Sequence, residues 1–214
     1  MKQLNKKSRL WSAKLAYAVG LIATDGNLSK DKRHITFVSK DLQLIQTFKT
    51  CLDLKTKVSL KKSGFAPDKT YYCVQFSDVN LYNLLIEIGL TPAKSKTIDE
   101  IKIPKKFFPD FIRGLFDGDG SFYSYWDKRW KSSFMFYLSF CSASIKHINW
   151  LQQEMQKQFD VKGHINKSFV SRAYQLKYAK NEARIVIKKM YYSKNIPLLK
   201  RKLNKINLTL KQDI

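Results

Sequence analysis

Apolar positions recur along the chain in two rhythms. Steps of three and four, the period of a helix buried on one face, run through Leu42, Ile45, Phe48 and Leu52, and again through Ile145, Ile148, Leu151, Met155 and Phe159. Alternation, the period of a strand covered on one side, puts Ile35 and Phe37 on a core face and His34, Thr36 and Val38 on the other. The stretch Lys61-Lys62-Ser63-Gly64 through Pro67-Asp68 breaks the pattern as a turn. In the first half these signals predict helices over 12–25, 41–53 and 79–89 and strands over 27–30, 33–39, 56–62 and 70–77. In the second half they predict helices over 106–118, 144–159, 181–191 and 197–210 and strands over 121–127, 133–141, 161–168 and 172–179. The predicted class is α+β: two αββαββα repeats, 1–104 and 105–214, joined near 91–105 without a Gly/Ser-rich linker.

The two halves also share letters. Ala18-Val19-Gly20-Leu21-Ile22-Ala23-Thr24-Asp25-Gly26 aligns with Ile112-Arg113-Gly114-Leu115-Phe116-Asp117-Gly118-Asp119-Gly120, with Gly, Leu, Asp and Gly in register and the final aspartates 94 positions apart (119 − 25). Phe37-Val38-Ser39 likewise aligns with Phe140-Cys141-Ser142. From the motif Gly to that Ser there are 13 positions in the first copy (39 − 26) and 22 in the second (142 − 120), so the second hairpin is longer, with Trp126-Asp127-Lys128-Arg129-Trp130 at its tip.

Gly20 and Gly114 fall inside predicted helices, where Gly costs roughly 1 kcal/mol against Ala. Paired at equivalent positions, they point to two helices whose backbones touch, with Ala16, Gly20 and Ala23 facing Gly114 and Gly118. Gly26 and Gly120 would stop those helices. Asp25 and Asp119 would then sit side by side at two helix C-termini, an unfavourable place for a negative charge. A bound divalent cation resolves both the dipole and the repulsion, and carboxylate, water and phosphate oxygen are the ligands Mg²⁺ prefers. An EF-hand over Asp117-Gly118-Asp119-Gly120 fails, because Lys128 stands where the loop needs a Glu.

Composition narrows the partner. Forty Lys+Arg against 17 Asp+Glu give a net charge of +23 over 214 residues, an excess that calls for a polyanion. Hydrophobic residues at 44% exclude a disordered chain. Cys51, Cys73 and Cys141 are odd in number and widely spaced, which speaks for a reducing compartment and against a disulfide or zinc framework. There is no apolar run long enough for a transmembrane helix. The basic start followed by Leu15 to Ala23 mimics a signal peptide, but Ala16-Tyr17-Ala18 lies inside the apolar stretch instead of after it.

The paired motif resembles that of the LAGLIDADG homing endonucleases of the single-chain, two-repeat type. The likeness spans nearly the whole chain and includes Gly89-Leu90-Thr91-Pro92-Ala93-Lys94-Ser95-Lys96, Ile103-Pro104 and Pro109-Asp110-Phe111-Ile112-Arg113-Gly114. The first copy carries Ala23 where the motif usually has Asp, but Asp25 keeps the position of the metal-binding acid, as does Asp119, leaving Asp117 a motif residue.

The resemblance implies a Mg²⁺-dependent, site-specific endonuclease, with Mn²⁺ as a substitute and Ca²⁺ binding without cleavage. It would cut both strands of a long asymmetric duplex across the minor groove and leave short 3′ overhangs. Its metal neighbourhood would comprise Asp25, Asp119, Thr24, Gly26, Gly118 and Gly120. No protein base is obligatory, and Ser39 and Lys40 match the family's polar-Lys pair after the second strand, while the second half has Ser142-Ala143 there. A further Lys would come from Lys94 or Lys96 in the first half and Lys200 or Lys202 in the second.

The sheets would form a DNA-binding saddle. Its candidates in the first half are Ser29, Lys32, Arg33, His34, Thr36, Val38, Lys57, Ser59, Lys61, Tyr72 and Gln75. In the second half they are Tyr123, Tyr125, Arg129, Trp130, Lys131, Tyr137, Ser139, His164, Asn166, Lys167, Arg172, Tyr174 and Gln175. Lys and Arg suit guanine, Gln and Asn suit adenine, and most other Lys would meet phosphate. The expected partner is double-stranded DNA, met by a monomer acting as a pseudo-dimer, without a membrane. Group I intron RNA, bound by a maturase on the same fold, is the alternative. A non-cleaving regulator and a basic membrane-surface protein fit less well, given both acids and the strand content. The implied location is intracellular: a mitochondrion, a chloroplast or a prokaryotic cytoplasm.

Overall fold

The helical rhythm around Gly20 becomes α1 (Ala13–Asp25) in a computed structural model of the chain, which describes residues 10–62, 70–129, 133–167 and 173–213. Ser12 caps α1 by accepting from the Leu15 amide at 3.1 Å. The chain continues through β1 (Gly26–Leu28), β2 (His34–Ser39), α2 (Leu42–Leu52), β3 (Ser59–Lys62), β4 (Thr70–Ser77) and α3 (Val79–Glu87). The second half follows with α4 (Phe108–Asp119), β5 (Ser121–Trp126), β6 (Phe134–Ser142), α5 (Ile145–Phe159), β7 (His164–Lys167), β8 (Tyr174–Ala179), α6 (Lys180–Met190) and α7 (Lys200–Gln212). All the predicted elements are present, and the offsets at their ends are a few residues.

The strands make two four-stranded antiparallel sheets, ordered β1-β2-β4-β3 and β5-β6-β8-β7. Each sheet is covered on one face by the helices of its half and open on the other. Registers coincide: Ser39 pairs with Tyr72 in the first sheet, and Ser142 pairs with Tyr174 in the second. α2 and α5 also end alike, each on an aspartate in the left-handed region, Asp53 at φ 54° and Asp160 at φ 57°. Asp tolerates that conformation better than most side chains because it can bond its own backbone.

α1 and α4 form the largest helix–helix contact among the described residues. A Cβ on Gly20 would lie 2.9 Å from the Gly114 Cα and overlap the Phe111 carbonyl, and one on Gly114 would overlap the Tyr17 carbonyl. Glycine is required at both positions because backbone meets backbone. Gly26 and Gly120 follow the last residue of each helix as expected, but they end it with extended backbone, φ −87° and −67°, instead of the left-handed region. Gly26 opens β1 and Gly120 directly precedes β5, and a Cβ on them would come within 2.6 Å of Ile22 or of Phe116, in the last turn of the preceding helix.

One hydrophobic core runs through both halves, from Tyr17, Phe37 and Phe48 to Phe111, Phe136 and Tyr178. Two polar staples cross it. Arg113, with no exposed surface, donates to the Pro197 carbonyl at 2.7 Å, the Met190 carbonyl at 2.6 Å and Asp110 at 2.6 Å. Buried Asp117 accepts from the Tyr17 hydroxyl at 2.7 Å and from the Leu199 amide at 2.8 Å, fastening α4 to α1 and to the start of α7. No helix among the described residues is long and apolar enough to cross a membrane.

Candidate active site

Because α1 and α4 touch at Gly20 and Gly114 and run on together, they end side by side, and Asp25 and Asp119 open on one cavity of about 250 Å³. Burial raises both carboxyls, and the Asp119 charge adds to the effect on Asp25, which reaches about 7. Among the described residues neither carboxylate has a hydrogen bond or an ion pair.

Two lysines flank the acids, one for each half. Lys94 is buried, and its ammonium donates to the Gly26 carbonyl. Lys202, at the start of α7, donates to the Phe116 carbonyl, to Gly118 at 3.3 Å and to Gly120 at 2.6 Å. These bonds place the ammonium groups on equivalent backbone turns, Gly26 and Gly120. Burial lowers both lysines to about 8, against the opposing pull of Asp25 and Asp119. Their neighbours Lys96 and Lys200 are exposed; of these, Lys200 is tied through its amide to Gln43 at 2.9 Å. The structure therefore separates the alternatives the sequence left open: Lys94 and Lys202 lie beside the acids, and Lys96 and Lys200 do not.

The same bonds describe the wider metal neighbourhood. The carbonyls of Gly26, Gly118 and Gly120 face lysine, and Thr24 donates its hydroxyl to the Leu21 carbonyl at 3.0 Å while packing against Gly118. Among the described residues the carboxylates of Asp25 and Asp119 are the oxygen donors at the site that carry no hydrogen bond. There is no group of three or more His, Cys, Asp or Glu among the described residues that could hold a metal. Two hard carboxylates still fit Mg²⁺, which is commonly held by one or two such groups with water and substrate phosphate completing its shell.

Around the acids, Ser39, Lys40 and Tyr71 line the cavity, with the Lys40 ammonium 5.5 Å from the centre of the Tyr71 ring. Arg201 closes one wall and grips Asp41 with Nε at 3.0 Å and Nη2 at 2.7 Å. Ser39 accepts from the Asp41 amide and Ser142 from the Ser144 amide, each at 3.1 Å, so both hydroxyls also cap the turn into the next helix. Asp117 is held in the core by Tyr17 and Leu199, in keeping with its reading as a motif residue.

The open sheet faces can be checked strand by strand. His34, Thr36 and Val38 share that face with Gln75, Ser59 and Lys61. Lys57, Lys32 and Arg33 are exposed nearby. Ser29 carries its carbonyl to the Tyr82 hydroxyl at 2.6 Å, and His34 contacts Asp31. In the second sheet Tyr123, Tyr125 and Tyr137 stack on the open face with ring centres 5.4–6.5 Å apart. His164, Asn166 and Gln175 share it, and Arg129 is exposed at the hairpin tip with its guanidinium 3.0 Å from Asp127.

Three positions fall on the wrong side. Tyr72 and Tyr174 have the parity of buried Val74 and Leu176 and pack against the core, and Lys167 lies over the Tyr174 ring at 5.6 Å. Ser139 has the right parity but is buried, its hydroxyl 2.7 Å from that of Ser121. The residues missed on the open face are Tyr71 and Lys177; the cross-strand pairs Lys61–Tyr71 and Ser139–Lys177 place them there. Trp130, Lys131 and Arg172 lie outside the described residues.

Neither a protein-family profile nor a curated protein sequence matches the chain. Solved structures do. The homing endonuclease I-WcaI bound to its DNA recognition sequence shares 13% identity at TM-score 0.64, over 96% of this chain and 88% of that one. I-DmoI in complex with DNA and Mn shares 20% at TM-score 0.53, over 86% and 98%. Full-length DUF199/WhiA from Thermatoga maritima shares 14% at TM-score 0.59 over 98% of this chain, which spans 64% of the WhiA length. The chain has the α+β fold of the LAGLIDADG homing endonucleases and of the LAGLIDADG domain of WhiA.

Proposed function

We propose that this protein is a divalent-metal-dependent, site-specific DNA endonuclease that cuts both strands of a long asymmetric duplex and leaves short 3′ overhangs. The observation that carries the reading is the pair of carboxylates, Asp25 and Asp119, without a hydrogen bond or ion pair among the described residues, at the ends of two helices pressed together, each with a lysine on the adjoining turn. A nucleic-acid regulator would have no need of two acids facing the phosphates it must attract. The likeness to I-DmoI, solved with target DNA in the presence of Mg or Mn, points the same way.

Asp25 and Asp119 would hold Mg²⁺, which when bound neutralises phosphate charge and lowers the pKa of a coordinated water. The chain's own residues do the rest. Lys94 and Lys202 are fixed by backbone carbonyls, so their ammonium groups stand ready beside each scissile phosphate without reorganisation. Ser39 and Lys40 border the same cavity and would order water and phosphate there. The open sheet faces follow the duplex on either side, with polar side chains on base edges and lysines on phosphates. The two repeats, 1–104 and 105–214, make each polypeptide its own pseudo-dimer, so the active species is a monomer inside the cell.

The test is a cleavage assay. Duplexes retained by the protein from a randomised pool supply the substrate, which is carried on a supercoiled plasmid. Mg²⁺ and Mn²⁺ should support one double-strand cut, Ca²⁺ should support binding alone, and EDTA should abolish cleavage. Asp25→Asn and Asp119→Asn should each abolish double-strand cleavage and spare binding. Full cleavage by Asp119→Asn removes Asp119 from the site. Tight binding to group I intron RNA with no cut in DNA would establish the maturase alternative instead.

A further inference from the structure

The open face of the second sheet carries a patch unlike the rest of the surface offered to the duplex. Two rungs of the β5–β6 ladder build it, Tyr123 opposite Tyr137 and Tyr125 opposite Met135, and Ala179 extends it beside Tyr137 on β8. The three rings lie parallel to within 19°, with centres 5.4–6.5 Å apart. Tyr123 and Tyr125 keep 36% and 43% of their surface exposed, while their neighbours Phe122, Phe136 and Leu138 fill the core. Packing therefore does not account for the rings.

These rungs hold no charge in a chain with 40 Lys+Arg. Among the described residues, charged groups border the patch: Lys177 on the rung of Ser139, the Arg129–Asp127 pair at the hairpin tip, and Glu182, which accepts from the Lys162 and Gly163 amides. The first sheet differs. Counting from Gly26 and Gly120, and from Ser39 and Ser142, Asn27–Thr36 corresponds to Ser121–Ser139, and Ser29 beside His34 corresponds to Tyr123–Tyr137. Where the second sheet is aromatic, the first is polar. The Tyr125–Met135 rung belongs to the longer second hairpin.

An uncharged aromatic surface has a narrow use in a major groove. It draws in no phosphate and lacks the paired donors that read guanine. The groove offers one apolar group, the C5-methyl of thymine. Tyrosine rings bring large contact area at low entropic cost, and here each is already ordered against the others. Tyr123 and Tyr125 stand 4 and 6 positions beyond Asp119 (123 − 119 and 125 − 119). A strand advances about 3.3 Å per residue and a duplex about 3.4 Å per base pair, so the rings reach bases about four to six pairs outward of that acid. We infer that the second sheet selects thymine through its methyl group at these pairs, with Tyr123, Tyr125 and Tyr137 as the selecting surface. This rests on the duplex-binding part of the endonuclease reading above.

The test uses the duplex retained from the randomised pool, with binding measured in Ca²⁺. Each thymine is replaced in turn by uracil, which keeps every hydrogen-bonding group and lacks only the methyl. In one half-site, uracil at the pairs facing the rings should weaken binding about fourfold per methyl removed. Tyr125→Ala should abolish that penalty at the outer pair. Tyr125→Phe should keep it, which separates the ring from its hydroxyl and the lost contact from a misfolded sheet. A uracil penalty that Tyr125→Ala leaves intact, one that Tyr125→Phe also removes, or no uracil penalty anywhere in the site would overturn this inference and leave the endonuclease standing. The methyl penalty seen in binding, with no scission in Mg²⁺, would overturn the endonuclease reading and support this one. Failure to retain any duplex would overturn both.

Discussion

His147 shows how one side chain ties stability to pH. It is buried in the first turn of α5, donates from Nδ1 to the Asp99 carbonyl at 2.7 Å, and stacks on Trp150 with ring centres 5.2 Å apart. Burial lowers its pKa below 6.5, against the backbone bond and charge of Asp99. The unfolded chain therefore takes up the proton more readily, and the stability His147 contributes is lost as pH falls below about 6.5. Asp25 and Asp117, raised to about 7 and about 6, titrate nearby with the opposite sign, so the informative quantity is a difference between proteins. The melting-temperature advantage of the wild type over His147→Asn should shrink between pH 7.5 and pH 5. An advantage that is constant with pH would show that His147 is not the titrating group. Single residues were also where the sequence was least legible. Tyr71 and Tyr72 are adjacent aromatics, and only the pairing of β4 with β2 and β3 reveals which one faces outward. Nothing next to Arg113 in the motif marks it as buried; its donors are consumed by Pro197, Met190 and Asp110, two of them far along the chain. Removing one partner of such a buried pair costs about 3–5 kcal/mol.

At the scale of elements the repeated motif carried most of the information. Helical rhythm, paired glycines and terminal Asp-Gly locate α1 and α4 and their mutual contact, because close backbone approach leaves only Gly and Ala as options over several turns. What the pattern could not show was where α7 packs. Its role depends on contacts between residues over 150 positions apart, Arg201 with Asp41 and the Lys200 amide with Gln43, and no local periodicity encodes them. The helix pair itself can be tested. Gly20→Ala places a methyl against the Phe111 carbonyl and within 2.9 Å of the Gly114 Cα, and backbone cannot step aside as a side chain can. The cost should reach at least the upper end of ordinary overpacking, about 3 kcal/mol. In a chain of this size that lowers the melting temperature by roughly 6–12 °C. Calorimetry on the purified variant reads it, and an unchanged melting temperature would mean that α1 and α4 do not cross at Gly20.

The whole molecule is a strong polycation with its two acids set where the helices end. A net charge of +23 repels itself in the free protein, and DNA phosphates relieve that repulsion while releasing their condensed counterions. The open faces of both sheets and the exposed Lys32, Arg33, Lys57 and Lys61 spread this charge over an extended surface, so binding should engage many phosphates together. The logarithm of the association constant, measured in Ca²⁺, should then fall linearly with the logarithm of salt concentration, with a slope of about −0.9 per phosphate neutralised. Eight contacts would give a slope near −7 by this rule, and Lys61→Gln should make it shallower by about 1 at every target sequence. Gln75, on the same face but uncharged, should behave differently: Gln75→Ala should change which bases are preferred and leave the slope alone. A flat salt dependence would confine the protein to a few contacts. Two sheets laid along a duplex could not then be the binding surface, and the acids between them would lose the substrate that gives their position a purpose.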